Sequence, residues 1–291
     1  MNHPLLHYLC CPHCKKSLIS KVKSLFCRKC KKDYAISNGI PILIDLTSLP
    51  SHLRQQVQYF EKEDLSRGKY ALEAWQKRYV DNFLFNTTFK KNSLIIDNAT
   101  GSGYMAIELA KKGYNVIAMD LTFAELVKLK ANIAALKLQK NILLICASSE
   151  ELPIKTKSAE GMVANAILEH LPHEKKAIKE IERVLKKNAV VMMAMPIQLQ
   201  YIWPFLWSIN MLHDRRIGHL RRYTRSSILK GFRRFREMKT YYTGNVGKII
   251  CLVLKILTKN PKWDVWGEKI DVYTAQIPYG ASNVVSILQK K

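Results

Sequence analysis

Acidic residues are scarce in this chain: 23 Asp and Glu stand against 47 Lys and Arg, which leaves a formal net charge of +24 and a pI near 9.8. Such an imbalance attracts polyanions, nucleic acid or an anionic lipid surface. The cations are spread along the whole chain, however, so solvated lysine-rich faces are an equal account of the excess. Only Arg215 to Lys239 concentrates them, with ten Lys and Arg against the single acid Glu237. A secretory leader pattern is also missing: MNHPLLHYLCC has neither a charged start nor a long apolar stretch before a small-residue cleavage site. The expectation is a cytoplasmic protein, with peripheral contact to an anionic membrane left open. Full charges are absent from residues 190–212, VVMMAMPIQLQYIWPFLWSINML, a run longer than the roughly 18 residues that flag a spanning helix. Pro196, Gln198, Gln200, Pro204 and Asn210 argue against a span, and the pattern predicts a buried strand, Val190 to Met195, followed by an apolar cover element.

At 291 residues, 48% hydrophobic and 24% charged, the chain has room for one large α/β domain, typically roughly 100–200 residues, plus a small appendage. Four of its seven cysteines form two knuckles, Cys11-Pro-His-Cys14 and Cys27-Arg-Lys-Cys30, separated by twelve residues. Each CxxC turn presents two thiolates to one ion, and two turns complete the closed tetrahedron of a structural zinc site. Lysines 15, 16, 29 and 31 favour the thiolate form. A disulfide framework does not suit a cytosolic chain, and a redox CxxC has no use for a second copy. Cys10 is a rival ligand, but only Cys11 keeps the spacing to Cys14; His13, inside the turn, is expected to face solvent. Ala35 to Ile44 reads as strand, Asn-Gly turn, strand. The stretch LCCPHCKKSL through FCRKCKKDYAISNGIPILI resembles the small zinc-ribbon activator proteins of tRNA and translation-factor methyltransferases. By that resemblance residues 1–46 are a zinc ribbon without chemistry of its own. Residues 47–92 are a helical linker or lid, patterned as helices through SHLRQQVQYFEKED and ALEAWQKRYVDNFLF.

From Ser93 the pattern changes to alternating strands and helices. Ser93-Leu-Ile-Ile-Asp-Asn-Ala-Thr-Gly-Ser-Gly-Tyr104 is an apolar strand ending in an acid, a turn of small residues, and a helix start, the arrangement of a nucleotide-type crevice. Gly101 and Gly103 let the backbone approach a ligand. A second strand, Asn115 to Asp120, ends in an acid seventeen residues after Gly103, placed for a ribose. Apolar runs follow at Asn141 to Cys146, leading into Ser148-Ser-Glu-Glu-Leu-Pro153, at Gly161 to Asn165, and at Val190, the last after a helix containing Ile178 to Leu185.

This series, IIDNATGSG, VIAMD, EELPI, AILEHL and EIERVLKKNAVVMMAMP in order, resembles the class I S-adenosylmethionine-dependent methyltransferases of the ubiquinone/menaquinone C-methyltransferase type (methyltransferase type 11), over roughly residues 93–242 and again at the C-terminus. The resemblance implies an α/β fold, a Rossmann-like seven-stranded methyltransferase sheet with an antiparallel last strand, preceded here by the zinc ribbon. The domain then runs over 93–291, with final strands near Glu237–Tyr242 and Val284–Gln289 and an insertion at about 244–282. That insertion carries an apolar helix from Lys248 to Leu257. The resemblance also implies cofactor contacts: Ala99, Gly101 and Gly103 along the methionine moiety, Asp97 toward its amino group directly or through water, Asp120 and Leu121 at the ribose, Ser148, Ser149 and Glu150 around the adenine, and Asn165 with Ala166 beneath. Three positions depart from the family pattern. Ser148 stands where an acid is usual and weakens the adenine hydrogen bond, Glu160 replaces an aspartate, and Asn188-Ala189 replaces a glycine pair.

Methyl transfer from a sulfonium is an in-line displacement that positioning alone can largely accelerate, so a base is needed only for a weakly acidic acceptor. His170, in LEHL after the fourth strand, is one candidate, the plain alternative being a helix cap. His219 is the other, within GHLRRYT, which looks like a GHxRRYT segment of family members encoded beside glycan and lipid pathways. There His219, Arg221, Arg222 and Tyr223 either orient an acceptor or latch a structural loop. Asn165-Ala-Ile-Leu is not the Asn-Pro-Pro-Tyr clamp for a base amino group, and this domain has no Pro-Cys pair, which disfavours amino-directed nucleic-acid methylation of that kind and cytosine C5 methylation. Three readings remain: a methyltransferase for a small-molecule or lipid- or glycan-linked acceptor (O- or C-methylation), an RNA methyltransferase using the basic surface and ribbon, and a non-catalytic scaffold. The expected cofactors are S-adenosylmethionine and structural Zn2+, with no transmembrane span.

Overall fold

The computed structural model describes residues 2–63 and 68–291; Asp64, at the end of the first expected helical pattern, lies outside them. The N-terminal part is a four-stranded antiparallel sheet in the order β1 (Ile19–Ser20), β2 (Ser24–Cys27), β3 (Lys32–Ser37), β4 (Ile40–Pro41). The expected Asn-Gly turn joins the last two, with φ of 49° at Asn38 and 69° at Gly39. Those positive values are what a two-residue hairpin loop requires.

Helices α1 (Ser51–Glu63) and α2 (Ala74–Phe85) follow. The chain then alternates β5 (Leu94–Asn98), α3 (Tyr104–Lys111), β6 (Asn115–Asp120), α4 (Phe123–Ala135), β7 (Ile142–Cys146), β8 (Ala159–Val163), α5 (Glu174–Val184) and β9 (Leu185–Pro196). It ends with α6 (Trp207–Ile217), α7 (Arg225–Gly231), β10 (Phe235–Thr243), α8 (Val246–Thr258), α9 (Lys262–Tyr273) and β11 (Asn283–Lys290). Seven strands form one sheet in the order β10-β11-β9-β8-β5-β6-β7, parallel except for β11, which runs antiparallel to both neighbours. The near-continuous apolar runs of β5 and β7, buried at every residue, are those of parallel strands covered on both faces. Helix α5 shows how the covering is made: Ala177, Ile178, Ile181 and Val184 bury one stripe while its lysines face out, the spacing of an amphipathic helix.

The N-terminal sheet packs into this core. Leu5, Leu9, Leu25 and Leu43 belong to the same buried cluster as Leu143, Ile154 and Ile181. Backbone bonds tie the two together: Cys10 N–H donates to Pro153 O at 2.9 Å, Lys155 N–H to Tyr8 O at 2.9 Å, and Leu43 N–H to Cys146 O at 2.8 Å. Lys15, expected only to support the thiolates, also forms a 2.6 Å ion pair with Glu180 of α5.

Val190 to Met195 is buried strand within β9, and the apolar segment after it leaves much of its surface open. Phe205, Ile209 and Leu212 are exposed, as are Trp203 and Trp207 in part, and no helix among the described residues is long and apolar enough to cross a membrane. Lys248 to Leu257 is helical within α8, as the pattern predicts, and it too leaves Ile250, Leu252, Val253, Ile256 and Leu257 exposed.

Candidate active site

Strands β5, β6 and β8 end side by side, and the loops leaving them open a cleft of about 680 Å³. Ligands of open parallel sheets lie at such carboxyl ends, and the volume is that of a small-molecule site. The loop from Asp97 to Tyr104 is shaped by three positive φ values, 62° at Ala99, 48° at Gly101 and 76° at Gly103. Only glycine fits the last position, because a Cβ there would lie 2.3 Å from Leu129 Cδ1. Gly103 therefore serves the packing of the loop on α4, while Ala99, Thr100, Gly101 and Ser102 line the cleft.

Asp97 lies behind the cleft wall and not on it. It is buried, and its Oδ2 accepts hydrogen bonds from Thr100 Oγ1 at 2.6 Å and Ala106 N–H at 3.1 Å. It holds the loop against α3, and burial pushes its carboxyl up to about 6 by penalising the charged form. Asp120 does reach the cleft. Its Oδ2 accepts from Gly101 N–H at 2.9 Å and its Oδ1 from Thr122 N–H at 2.9 Å, and burial raises its pKa against those bonds.

Leu121, Ser148 and Ser149 line the wall beyond Asp120. Ser148 Oγ accepts from Glu150 N–H at 3.2 Å, and Ser149 Oγ donates to Asn98 Oδ1 at 2.7 Å. Glu150, expected beside the adenine, instead turns its carboxylate to the start of α5, accepting from His173 N–H at 2.7 Å. Asn165 lines the cleft opposite. Its Nδ2 donates to Tyr104 OH at 3.3 Å, while its Oδ1 is buried without a partner.

The other half of the cleft comes from α1, α2, α6 and the loops at 165–171 and 218–219. His170 and His219, far apart in sequence, meet here with ring centroids 4.8 Å apart. His170 does not cap a helix; the residue before α5 is His173. Its Nδ1 lies 2.9 Å from Gln56 Nε2 and its ring packs edge-on against Phe60, and burial, aided by the nearby His219, lowers its pKa to about 3. His219 Nδ1 is 2.8 Å from Asp214 Oδ1, which Arg222 grips through Nη2 at 2.9 Å while its Nε reaches Oδ2 at 2.7 Å. Burial lowers the His219 pKa in spite of that carboxylate.

Arg221, Arg222 and Tyr223 act as a latch. Arg221 donates to Leu168 O and Leu171 O, Arg222 to Ile197 O as well as Asp214, and Tyr223 OH to Glu174. The basic segment around them is likewise tied down in part, with Arg225 on Glu237 and Arg234 near Glu182. Sequence reasoning missed Gln56, Trp75, Glu169 and Asp214. Glu169 sits beside His170 in the quoted AILEHL and Asp214 lies five residues before His219, but only the folded loop makes them neighbours of the cleft. Glu169 is 1% exposed with neither carboxylate oxygen partnered, and burial pushes it up to about 8.

At the N-terminus the four expected cysteines converge, their sulfurs all within 4.8 Å of one another. Cys11 and Cys30 sulfurs are 3.8 Å apart, Cys14 and Cys27 3.4 Å. Cys10 stays out of the group, and burial pushes its thiol up to about 11. Cys11 falls below the ordinary thiol range: burial raises it, but amide hydrogen bonds and those of the Tyr34 hydroxyl and Cys27 outweigh that. His13 is half-exposed and lies 3.3 Å from Glu151.

Residues 96–193 match the family model described as a methyltransferase domain. An uncharacterised protein of Haemophilus influenzae is 35% identical over 128 residues, 43% of this chain and 51% of that protein. The ubiquinone/menaquinone biosynthesis C-methyltransferase of Rickettsia prowazekii is 39% identical over 101 residues, 33% of this chain and 41% of its own. The chain thus spans about half or less of these curated relatives. Among solved structures, geranyl diphosphate C-methyltransferase from Streptomyces coelicolor A3(2) superposes with a TM-score of 0.62 over 83% of this chain and 99% of that one, at 9% identity. Phosphoethanolamine N-methyltransferase 2 of Haemonchus contortus gives 0.60 over 86% of this chain and 61% of that one, at 15% identity. At those identities the likeness is one of fold.

Proposed function

We propose that this chain, which carries a class I methyltransferase domain, transfers a methyl group from S-adenosylmethionine to a small-molecule or lipid- or glycan-linked acceptor, at oxygen or carbon. The observation that carries this reading is one continuous cleft running from Asp120 and the 99–102 loop to His219 and Glu169. The residues present fit the cofactor. Asp120 offers a partly buried carboxylate on the cleft wall to take the ribose hydroxyls, the loop offers backbone, and Asn165 Oδ1 is an acceptor lacking a donor. When bound, S-adenosylmethionine supplies a methyl group on a sulfonium, already activated for displacement. The chain then has to hold an acceptor in line at contact distance, which shortens the search for the reactive geometry. Leu53, Val57, Phe60 and Trp75 give that half of the cleft an apolar wall. His219, fixed by Asp214, is the nitrogen that activates the acceptor.

Support for a lipid-linked acceptor comes from the apolar residues that α6 exposes, on the same helix whose His213 and Ile217 line the cleft. Trp203 and Tyr279, 4.9 Å apart, join that surface to the insertion carrying α8. Helix α8, apolar along its exposed side, is of the amphipathic kind that lies in lipid interfaces.

The cysteine cluster takes a structural Zn2+. Four thiolates about 2.3 Å from an ion in a tetrahedron stand about 3.8 Å apart, which the observed sulfur separations approach. Metal analysis of freshly purified protein is expected to give zinc, and Cys27→Ser to remove it together with much of the stability.

Calorimetry with S-adenosylhomocysteine tests the central reading: binding is expected, and the absence of both heat and thermal shift overturns it. A screen with labelled S-adenosylmethionine against lipid, small-metabolite and RNA fractions then assigns the acceptor, and label entering RNA alone would replace the small-molecule reading.

A further inference from the structure

We propose that Glu169, His170 and His219 bind a divalent transition-metal ion at the acceptor end of the cleft, separate from the cysteine cluster. This deepens the proposed methyltransferase reading and rests on it for the identity of the acceptor, though not for the ion.

Three observations converge. The first is composition and proximity: two imidazoles and one carboxylate place their ligand atoms within 4.8 Å of one another, and all three residues line the cleft. Two histidines with one carboxylate suit a first-row divalent ion and leave coordination positions open. The second is the carboxylate itself. Glu169 is 1% exposed and neither oxygen has a hydrogen-bond partner, an arrangement that costs stability unless something completes it. His219 Nε2 lies 3.9 Å from Glu169 Oε1. The third is what stands behind the histidine. Asp214 accepts from His219 Nδ1–H at 2.8 Å and is itself held by Arg222, so the lone pair of Nε2 faces Glu169. A carboxylate behind a ligating histidine fixes the tautomer in this way.

His170 completes the set through Nε2, since its Nδ1 is already engaged by Gln56. With an ion bound, His170 Nδ1 carries the proton, so the Gln56 amide nitrogen, which also donates to Gly218 O at 3.0 Å, has to move off it. Ligand atoms around such an ion stand about 3–3.5 Å apart, a closure that side-chain rotation supplies. The open positions face the cleft, so the ion takes an acceptor with a hydroxyl or enolic oxygen at or beside the methylated atom. Bound to the ion that His219 helps to hold, that oxygen loses its proton more readily, to water in the cleft, so His219 activates the acceptor through the ion and not as a base.

The test adds Co2+ to the full chain with its cysteine cluster zinc-loaded. One Co2+ per chain is expected, with visible absorption of nitrogen and oxygen ligation and no sulfur charge-transfer band. Glu169→Gln, which keeps the shape of the side chain, and His219→Asn are each expected to weaken Co2+ binding at least tenfold, and Asp214→Asn about tenfold. S-adenosylhomocysteine affinity in each stays within about twofold of the parent, which also shows that the variant is folded. No Co2+ beyond the cysteine cluster, or equal binding by the parent and Glu169→Gln, overturns the ion and leaves His219 as a direct base. Failure of the parent to bind S-adenosylhomocysteine overturns the methyltransferase reading instead, whatever Co2+ does.

Discussion

The cofactor end of the cleft and its acceptor end are built by opposite means. The first is drawn mainly from residues 97–120, where Asp97 accepts from Thr100 and Ala106, and Asp120 from Gly101, through bonds of 2.6–3.1 Å within one strand-loop-helix-strand stretch. The second joins Gln56, Trp75, His170 and His219 from four separate segments, and its polar groups are half-completed: the Glu169 carboxylate accepts no hydrogen bond, whereas that of Asp214 is bonded by two side chains. A locally bonded loop keeps its shape whatever occupies it. An assembled wall depends on the packing of α1, α2 and α6, and its unfinished hydrogen bonds point to what it binds. If that contrast is right, substitutions at one end should leave the other nearly untouched.

The largest expected effect is at the acceptor end. His219→Asn should lower turnover by about 10²–10⁴-fold, the range for losing the group that activates a nucleophile, with S-adenosylhomocysteine affinity within about twofold. Calorimetry beside single-turnover rates checks this. A parallel loss of cofactor affinity would mean that the two ends are one unit.

Asp120→Ala is the converse. Hydrogen bonds to a charged group contribute about 1.5–3 kcal/mol each, so removing an acceptor of two ribose hydroxyls should weaken S-adenosylhomocysteine at least about 100-fold. Co2+ binding at the other end should not change. Retained affinity would place the ribose elsewhere.

Asp97 sharpens the comparison through pH. Its folded pKa of about 6 lies above the ordinary 3.8, so the fold favours the protonated form. The stability it contributes is full below about pH 3.8 and is lost as pH rises through about 6. Asp97→Asn keeps an oxygen for Thr100 and Ala106 without that loss. Relative to the parent it should gain about 2–3 kcal/mol between pH 4 and pH 7.5, at about 1.4 kcal/mol per pH unit. Urea unfolding at the two pH values measures it, and parallel profiles would show that Asp97 is charged in the fold.

The same contrast explains what the sequence made legible. Strands β10 and β11 follow only from the family resemblance; the other five strands of the main sheet and the meeting of Cys11, Cys14, Cys27 and Cys30 follow from apolar runs and fixed spacings, because each is written in consecutive residues. So is the loop at 97–103, although its first and last members turned out to face inward: the motif reports that Asp97 and Gly103 are required, not whether a ligand or α4 requires them. Asn188 shows a departure that the fold absorbs, since its φ of 63° is one that asparagine tolerates where the family places glycine. The GHLRRYT segment was read as either acceptor site or latch, and it divides, His219 facing the cleft while Arg221, Arg222 and Tyr223 are used internally. Nothing local distinguishes these neighbours. Their roles are set by α5, α6 and the 165–171 loop, which the chain brings up from either side.

Trp75 sits where the two ends meet and should show the smallest effect. Its ring packs edge-on against Tyr104 at 5.5 Å, on the helix that follows the cofactor loop, and against Tyr79 at 5.9 Å within α2. Aromatic pairs of this geometry contribute about 0.5–1.5 kcal/mol. Trp75→Ala should therefore raise the acceptor KM about 5–10-fold by loosening α2, with a change in S-adenosylhomocysteine affinity of no more than about threefold, because the backbone bonds of the 97–104 loop do not involve the indole. Steady-state kinetics at saturating S-adenosylmethionine, once an acceptor is in hand, separate the two. A loss confined to the cofactor would place Trp75 over the nucleoside, and the division of the cleft would then run through α2 instead of alongside it.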